Sequence, residues 1–174
     1  MRQPANYWIE KLQLTRHIEG GYFKETYRSD LTLLTEQLPA TFTGPRNIST
    51  SIYYLLEHGF FSAFHRIRSD EQWHFYFGDP LEIFEFQEDG RLVTYVLGSD
   101  PVKGQTFQCT IKAGNWFASR PADGSEYCLA GCTVSPGFDY NDFEIAKRDE
   151  LINQFPEYKD LILQLTSEAE STEL

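Results

Sequence analysis

Nine short β-type runs separated by turn signals occupy the chain from Tyr22 to Val134, and they limit the fold more than any other feature. They are Tyr22–Arg28, Thr50–Leu56, Ser62–Arg68, Trp73–Phe77, Glu82–Phe86, Leu92–Leu97, Phe107–Ile111, Trp116–Ser119 and Tyr127–Val134. Asp89-Gly90 marks a hairpin, and Gly78-Asp79-Pro80, Gly114-Asn115 and Asp123-Gly124 mark further turns. So many short strands predict a sandwich or a closed barrel. Helical periodicity appears only at the two ends. Ala5, Trp8, Ile9 and Leu12 form one helical face before Gly20-Gly21. Leu151, Ile152 and Phe155 form another, and Pro156 opens a helix carrying Tyr158, Leu161, Ile162 and Leu165. The expected layout is a single domain over 1–174, with a barrel at about 20–135, helices at about 143–166 and a frayed acidic tail at 167–174.

With 41% hydrophobic and 16% aromatic residues, the chain can bury a core without disulfides or a structural metal. Fifteen Lys and Arg against 26 Asp and Glu give a formal charge of −11, which argues against nucleic acid or an anionic membrane as partner. No apolar run approaches the roughly 18 residues of a membrane span, and the first residues lack a signal-peptide core, so a cytoplasmic protein is expected. Cys128 and Cys132 would lie about 13 Å apart on one strand, too far for a disulfide. With Cys109 they read as buried, reduced thiols.

The segment from Gly59 to Gly78 carries the chemical information. Gly59, His65, Glu71 and Gly78 match the motif G(x)5HxH(x)3–4E(x)6G at every spacing, with Ile67 at the second histidine. In this the sequence resembles the cupin superfamily of double-stranded β-barrels. The second cupin motif, G(x)5PxG(x)2H(x)3N, is represented by Lys112-Ala113-Gly114 at its turn and Phe117 at its histidine. Glu19-Gly20-Gly21-Tyr22-Phe23, Glu25-Thr26-Tyr27-Arg28-Ser29, Ser69-Asp70-Glu71-Gln72-Trp73-His74 and Gly131–Phe138 are similar to the Cupin-5 branch. The resemblance implies a mainly β jelly-roll barrel, a homodimer, and a small-molecule cavity at the barrel mouth. Of a three-His, one-Glu metal set it would leave only His65 and Glu71, so no cofactor is expected.

His65 and Ile67, two apart on a strand, share a face. If that face lines the barrel, Glu71 can approach His65, and a carboxylate beside an imidazole is the usual arrangement of a general base. His74 is a possible further ligand, although alternation from Glu71 places it on the opposite face unless a bulge intervenes. Trp73, Phe75, Trp116, Phe117 and Tyr127 are candidate ligand-binding walls, with core packing as the plainer reading. For Glu71 the plainer reading is an ion pair with Arg66 or Arg68. Glu25, Tyr27 and Arg28 suit either a solvated edge strand or pocket and dimer contacts; His17 and His58 receive no role.

Three functions compete. The first is a metal-free epimerase or isomerase acting on a sugar-like, nucleotide-sugar-like or keto substrate. Its base would be His65, the position used by related nucleotide-sugar cupins, and its acid Tyr127 or Tyr76. The second is a cupin that binds a small polar ligand without turnover. The third is a metal-dependent enzyme with the reduced set His65, Glu71 and His74, which Ile67 and Phe117 disfavour.

Overall fold

A computed structural model describes residues 2–167, and the tail beyond residue 167 lies outside the described residues. Helix α1 (Ala5–Leu12) precedes β1 (Thr15–Arg16), β2 (Tyr22–Arg28), β3 (Thr32–Leu33), β4 (Arg46–Asn47) and β5 (Thr50–Glu57). There follow β6 (Ser62–Arg66), β7 (Asp70–Gly78), β8 (Leu81–Phe86), β9 (Leu92–Leu97), β10 (Gln108–Ile111), β11 (Phe117–Pro121) and β12 (Tyr127–Ser135). The short β13 (Glu144–Ile145) leads into α2 (Arg148–Gln154) and α3 (Lys159–Gln164). Two antiparallel sheets face each other, ordered β1-β2-β5-β12-β7-β10 and β13-β6-β11-β8-β9, with β3-β4 as a separate ribbon. The chain is mainly β, as the turn-separated runs predict. Four two-residue strands, β1, β3, β4 and β13, are too short to carry an alternation signal.

Side-chain alternation divides the apolar residues among three layers. Tyr54, Leu56, Trp73, Leu81, Ile83, Ile111, Phe117 and Cys132 point between the sheets and fill the barrel. On β8 the neighbours of this set, Phe84 and Phe86, point the other way and pack with Leu151, Phe155, Ile162 and Leu165 of the C-terminal segment. With both of its faces covered, Leu81–Phe86 is buried at every position but Glu82, which is half-buried. On the opposite sheet, Leu55, Tyr127 and Leu129 pack against Trp8, Ile9 and Leu12 of α1. All three cysteines are buried and free.

Two devices fix the cavity end of the barrel. Glu85, fully buried, accepts hydrogen bonds from Lys112 N, Asn115 Nδ2, Gln87 Nε2 and the Tyr95 hydroxyl. Two of these four donors tie down the Lys112–Asn115 turn, and together the four offset the cost of burying a carboxylate. The second is Gly20, at φ +119°, where a Cβ would collide with the carbonyl oxygen of Phe61. Only glycine lets the turn after β1 lie this close to β6. Ala63 N then donates to Glu19 O at 2.9 Å, bringing Glu19 alongside His65.

Candidate functional site

A cavity of about 350 Å³ opens between β2, β5, β6 and β7 and the loop after β12. His17, Glu19, Thr50, His65, Glu71 and Cys132 supply polar groups, while Phe23, Ile52, Ile67, Val134, Phe138 and Phe143 supply apolar wall. Glu25, Arg28, Asp139 and Tyr140 also line it. Glu25 and Arg28 are three apart on β2 and still line one cavity because the β2–β5 register shifts between Glu25 and Tyr27. A bulge there moves the inward position from 27 to 28. Arg28 donates to both oxygens of Glu25, at 3.0 and 2.7 Å, and to Asn47 Oδ1 and Phe138 O.

The structure pairs His65 with Glu19, where the sequence pointed to Glu71. His65 Nε2 lies 3.0 Å from Glu19 Oε2, and its Nδ1 lies 2.7 Å from Ala63 O. A carbonyl only accepts, so Nδ1 carries hydrogen and Nε2 of the neutral ring presents its lone pair to Glu19. One proton between Oε2 and Nε2 completes the contact. Burial pushes His65 down to about 4 and Glu19 upward, with His17, Ser62 and Tyr54 partly offsetting the latter. The neutral arrangement is therefore favoured, with the Glu19 carboxyl donating to the imidazole. On the other side, Glu19 N donates to His17 Nδ1 at 3.4 Å, which leaves hydrogen on His17 Nε2. Burial also lowers the pKa of His17.

Glu71 enters from the start of β7, opposite Ile111 and Val134. It is 8% exposed and pairs with neither Arg66, which binds Glu144, nor Arg68, which faces Asp142. Cys132 is its hydrogen-bonding neighbour, and burial together with the Glu19 charge raises its pKa to about 8.

The other sequence candidates lie elsewhere. His74 is on the outer face of β7, against Thr133 Oγ1 and the Tyr76 ring, as strict alternation requires. The β7–β12 register shift falls beyond it, between Leu129 and Ala130. Trp73 and Phe75 pack in the barrel core, and Trp116 packs on the C-terminal helical layer. Phe117 touches the His65 ring at 4.1 Å between centroids without lining the cavity. Tyr127 lies under α1, donating to Gln3 O and accepting from Trp8 Nε1. Neither it nor Tyr76 reaches the cavity, so the expected tyrosine acid is absent from both positions. Glu19, His17 and the Phe138–Phe143 wall escaped the sequence reading because they lie on turns without periodicity. The one available signal was Glu19 immediately before the paired glycines.

The donor set does not fit the metal of other cupins. Ile67 and Phe117 occupy motif histidine positions, and no three His, Cys, Asp or Glu side chains converge on a metal-sized point among the described residues.

Two facing antiparallel sheets with a cavity at one end, entered by His65 and Glu71, define a protein of the cupin barrel class. Residues 6–146 match the family described as Cupin superfamily (DUF985), and the chain belongs to it. It is 32% identical over 161 residues to the uncharacterized protein YML079W of Saccharomyces cerevisiae, covering 87% of this chain and 78% of that one. A hypothetical protein from Leishmania major superposes with a TM-score of 0.87 and 34% identity, over 95% of this chain and all of that one. Protein SO0799 from Shewanella oneidensis gives 0.85 and 34%, over 95% and 99%. Oxalate decarboxylase from Bacillus subtilis shares the fold at 16% identity and a TM-score of 0.53, over 86% of this chain and 36% of that one.

Proposed function

We propose that this cupin binds a small polar, sugar-like or keto compound in the cavity and moves a proton on it as an epimerase or isomerase. The observation that carries this reading is the buried Glu19–His65 contact, which holds one proton at the edge of an otherwise largely apolar cavity. Because His65 Nε2 faces Glu19, the group that meets the ligand is Glu19. Its second oxygen, Oε1, accepts a proton from an acidic C–H of the ligand while the proton on Oε2 passes to His65 Nε2, with Ser62 and Tyr54 as hydrogen-bonding neighbours of the same carboxyl. The imidazolium so formed keeps its Nδ1–H on Ala63 O. The reverse transfer returns a proton to the ligand. His65 is then a reservoir behind the base, and Glu71 orients the ligand. About 350 Å³ is at the small end of ligand pockets, which suits a monosaccharide-sized molecule better than an enclosed nucleotide sugar. We further propose a cytoplasmic homodimer, supported by three buried free thiols and by aromatic side chains left on the outer sheet face.

Native mass spectrometry of the freshly purified protein identifies any retained compound, which is then incubated with enzyme in D₂O. Wild type should place deuterium at one carbon, and Glu19→Gln should slow this roughly a hundredfold or more. A ligand that binds but never exchanges would make the protein a binding module.

A further inference from the structure

We infer that the cavity's ligand is a small organic cation, its ammonium or amidinium group seated against Glu71 beside Glu19. This rests on the reading above that the cavity binds a small molecule. Glu71 is 92% buried yet has no N–H or O–H partner among the described residues; the Cys132 thiol is its hydrogen-bonding neighbour. Glu85, a fully buried carboxylate in the same barrel, has four donors. A buried carboxyl left this bare while facing a cavity is a group whose partner comes from outside.

The charge of that partner follows from what surrounds Glu71. Glu19 and His17 approach from the turn after β1, Tyr54 from β5, His65 from β6, Cys109 from β10 and Cys132 from β12. None is a fixed cation, and both imidazoles are held toward neutrality by burial. Arg28, the one arginine or lysine lining the cavity among the described residues, is engaged by both oxygens of Glu25. An anionic ligand would meet two carboxyls with no free positive group. A cation meets those carboxyls and the rings of Phe23, Phe138 and Phe143, whose faces attract positive charge. Asp139 at the same cavity and the formal charge of −11 draw cations toward it. The proton balance closes: as the cation enters, Glu71 loses its carboxyl proton to solvent, and the net charge of the site is unchanged.

The test is calorimetry on the full chain with choline and ethanolamine, each against an uncharged counterpart, 3,3-dimethyl-1-butanol and ethylene glycol. Amide chemical shifts locate each probe. At pH 6.5, in two buffers of different ionisation enthalpy, the cations should bind at least about tenfold tighter and release about one proton each. Choline does not titrate, so its affinity should rise between pH 6 and about 8.5 as Glu71 gives up its proton more easily. Glu71→Gln should remove about tenfold or more of choline affinity, together with its pH dependence, and leave the neutral probes within about twofold. If that variant does not fold, proton release by the wild type decides. Equal affinity for neutral and charged probes, or binding without proton release, overturns the inference and leaves the cavity reading intact. If no probe perturbs cavity residues, both fall.

Discussion

Glu71 and His65 are displaced in opposite senses by the same cause, and their titrations leave opposite marks on stability. Burial raises the Glu71 carboxyl to about 8 and lowers the His65 imidazole to about 4. A carboxyl with a raised pKa binds its proton more tightly in the folded state. Its contribution is full below the unfolded value and is lost as pH climbs toward 8. For His65, the neutral folded form is favoured, so its contribution is full above the ordinary imidazole value and is lost as pH falls toward 4. Between roughly pH 4.5 and 6.5 the two slopes oppose each other, and above that the Glu71 slope stands alone of the two. Wild type should therefore lose stability from about pH 6.5 to 8, at up to about 1.4 kcal/mol per pH unit from Glu71 alone. Glu71→Gln has no proton to lose and should flatten that decline. Urea melts of both proteins at half-unit pH intervals check this, and identical slopes would place the Glu71 carboxyl in a wetter setting than the fold gives it. The pairing of Glu71 with His65, read from motif spacing, failed at this same scale. Spacing reports which face a residue is on, and both residues do reach one cavity. It cannot report that a turn 46 positions earlier supplies a nearer carboxyl.

At the scale of elements, the strands were legible because each long strand has one face in the barrel and the alternation of its residues says so. Leu92–Leu97 has the bounds its pattern predicts, and β5, β7, β8 and β12 exceed theirs by only one to a few residues. The cavity wall from Phe138 to Phe143 was illegible because a loop's position depends on its anchors, here Arg46 on β4. Its guanidinium donates to both oxygens of Asp142, at 2.6 and 2.7 Å, with both side chains buried. Thr50 Oγ1 accepts from Phe138 N at the other end of the loop. Arg46→Met leaves the Asp142 carboxylate buried and without this partner, and should cost about 3–5 kcal/mol. The double variant Arg46→Met, Asp142→Asn removes a buried charge left, among the described residues, with only Arg68, at 3.5 Å, and should recover part of that loss. Both should loosen the Phe138 and Phe143 walls, so ligand affinity should fall even where the double variant recovers stability. Denaturant melts with a binding titration on the three proteins measure the two effects. Recovery of stability together with full affinity would show that the wall holds its place without the ion pair.

The whole molecule combines a covered barrel with one sheet face only partly covered. Three apolar layers hold the structure together, and the described residues offer no convergent metal donors. Dialysis against EDTA should accordingly leave the melting temperature unchanged, and a large drop would reveal a metal that the fold depends on. The uncovered face decides the last prediction. Helix α1 packs over Leu55, Tyr127 and Leu129, and beyond it the six-stranded sheet presents Tyr53, His74 and Tyr76. Tyr76 is 49% exposed, parallel to the His74 ring and edge-on to Tyr53. Its ring lies over Gly131, where a Cβ would collide with it. Packed aromatics with one face in water suit a self-complementary contact, since two-fold pairing would bury the same patch on both copies. Sedimentation equilibrium at micromolar concentration should thus report a species of twice the 20.2 kDa chain. Tyr76→Glu should shift it to monomer while the Glu19–His65 cavity, on the other side of the sheet, keeps its ligand affinity. A wild type that sediments only as the single chain would leave those rings as ordinary surface, and the cavity as a site complete within one copy.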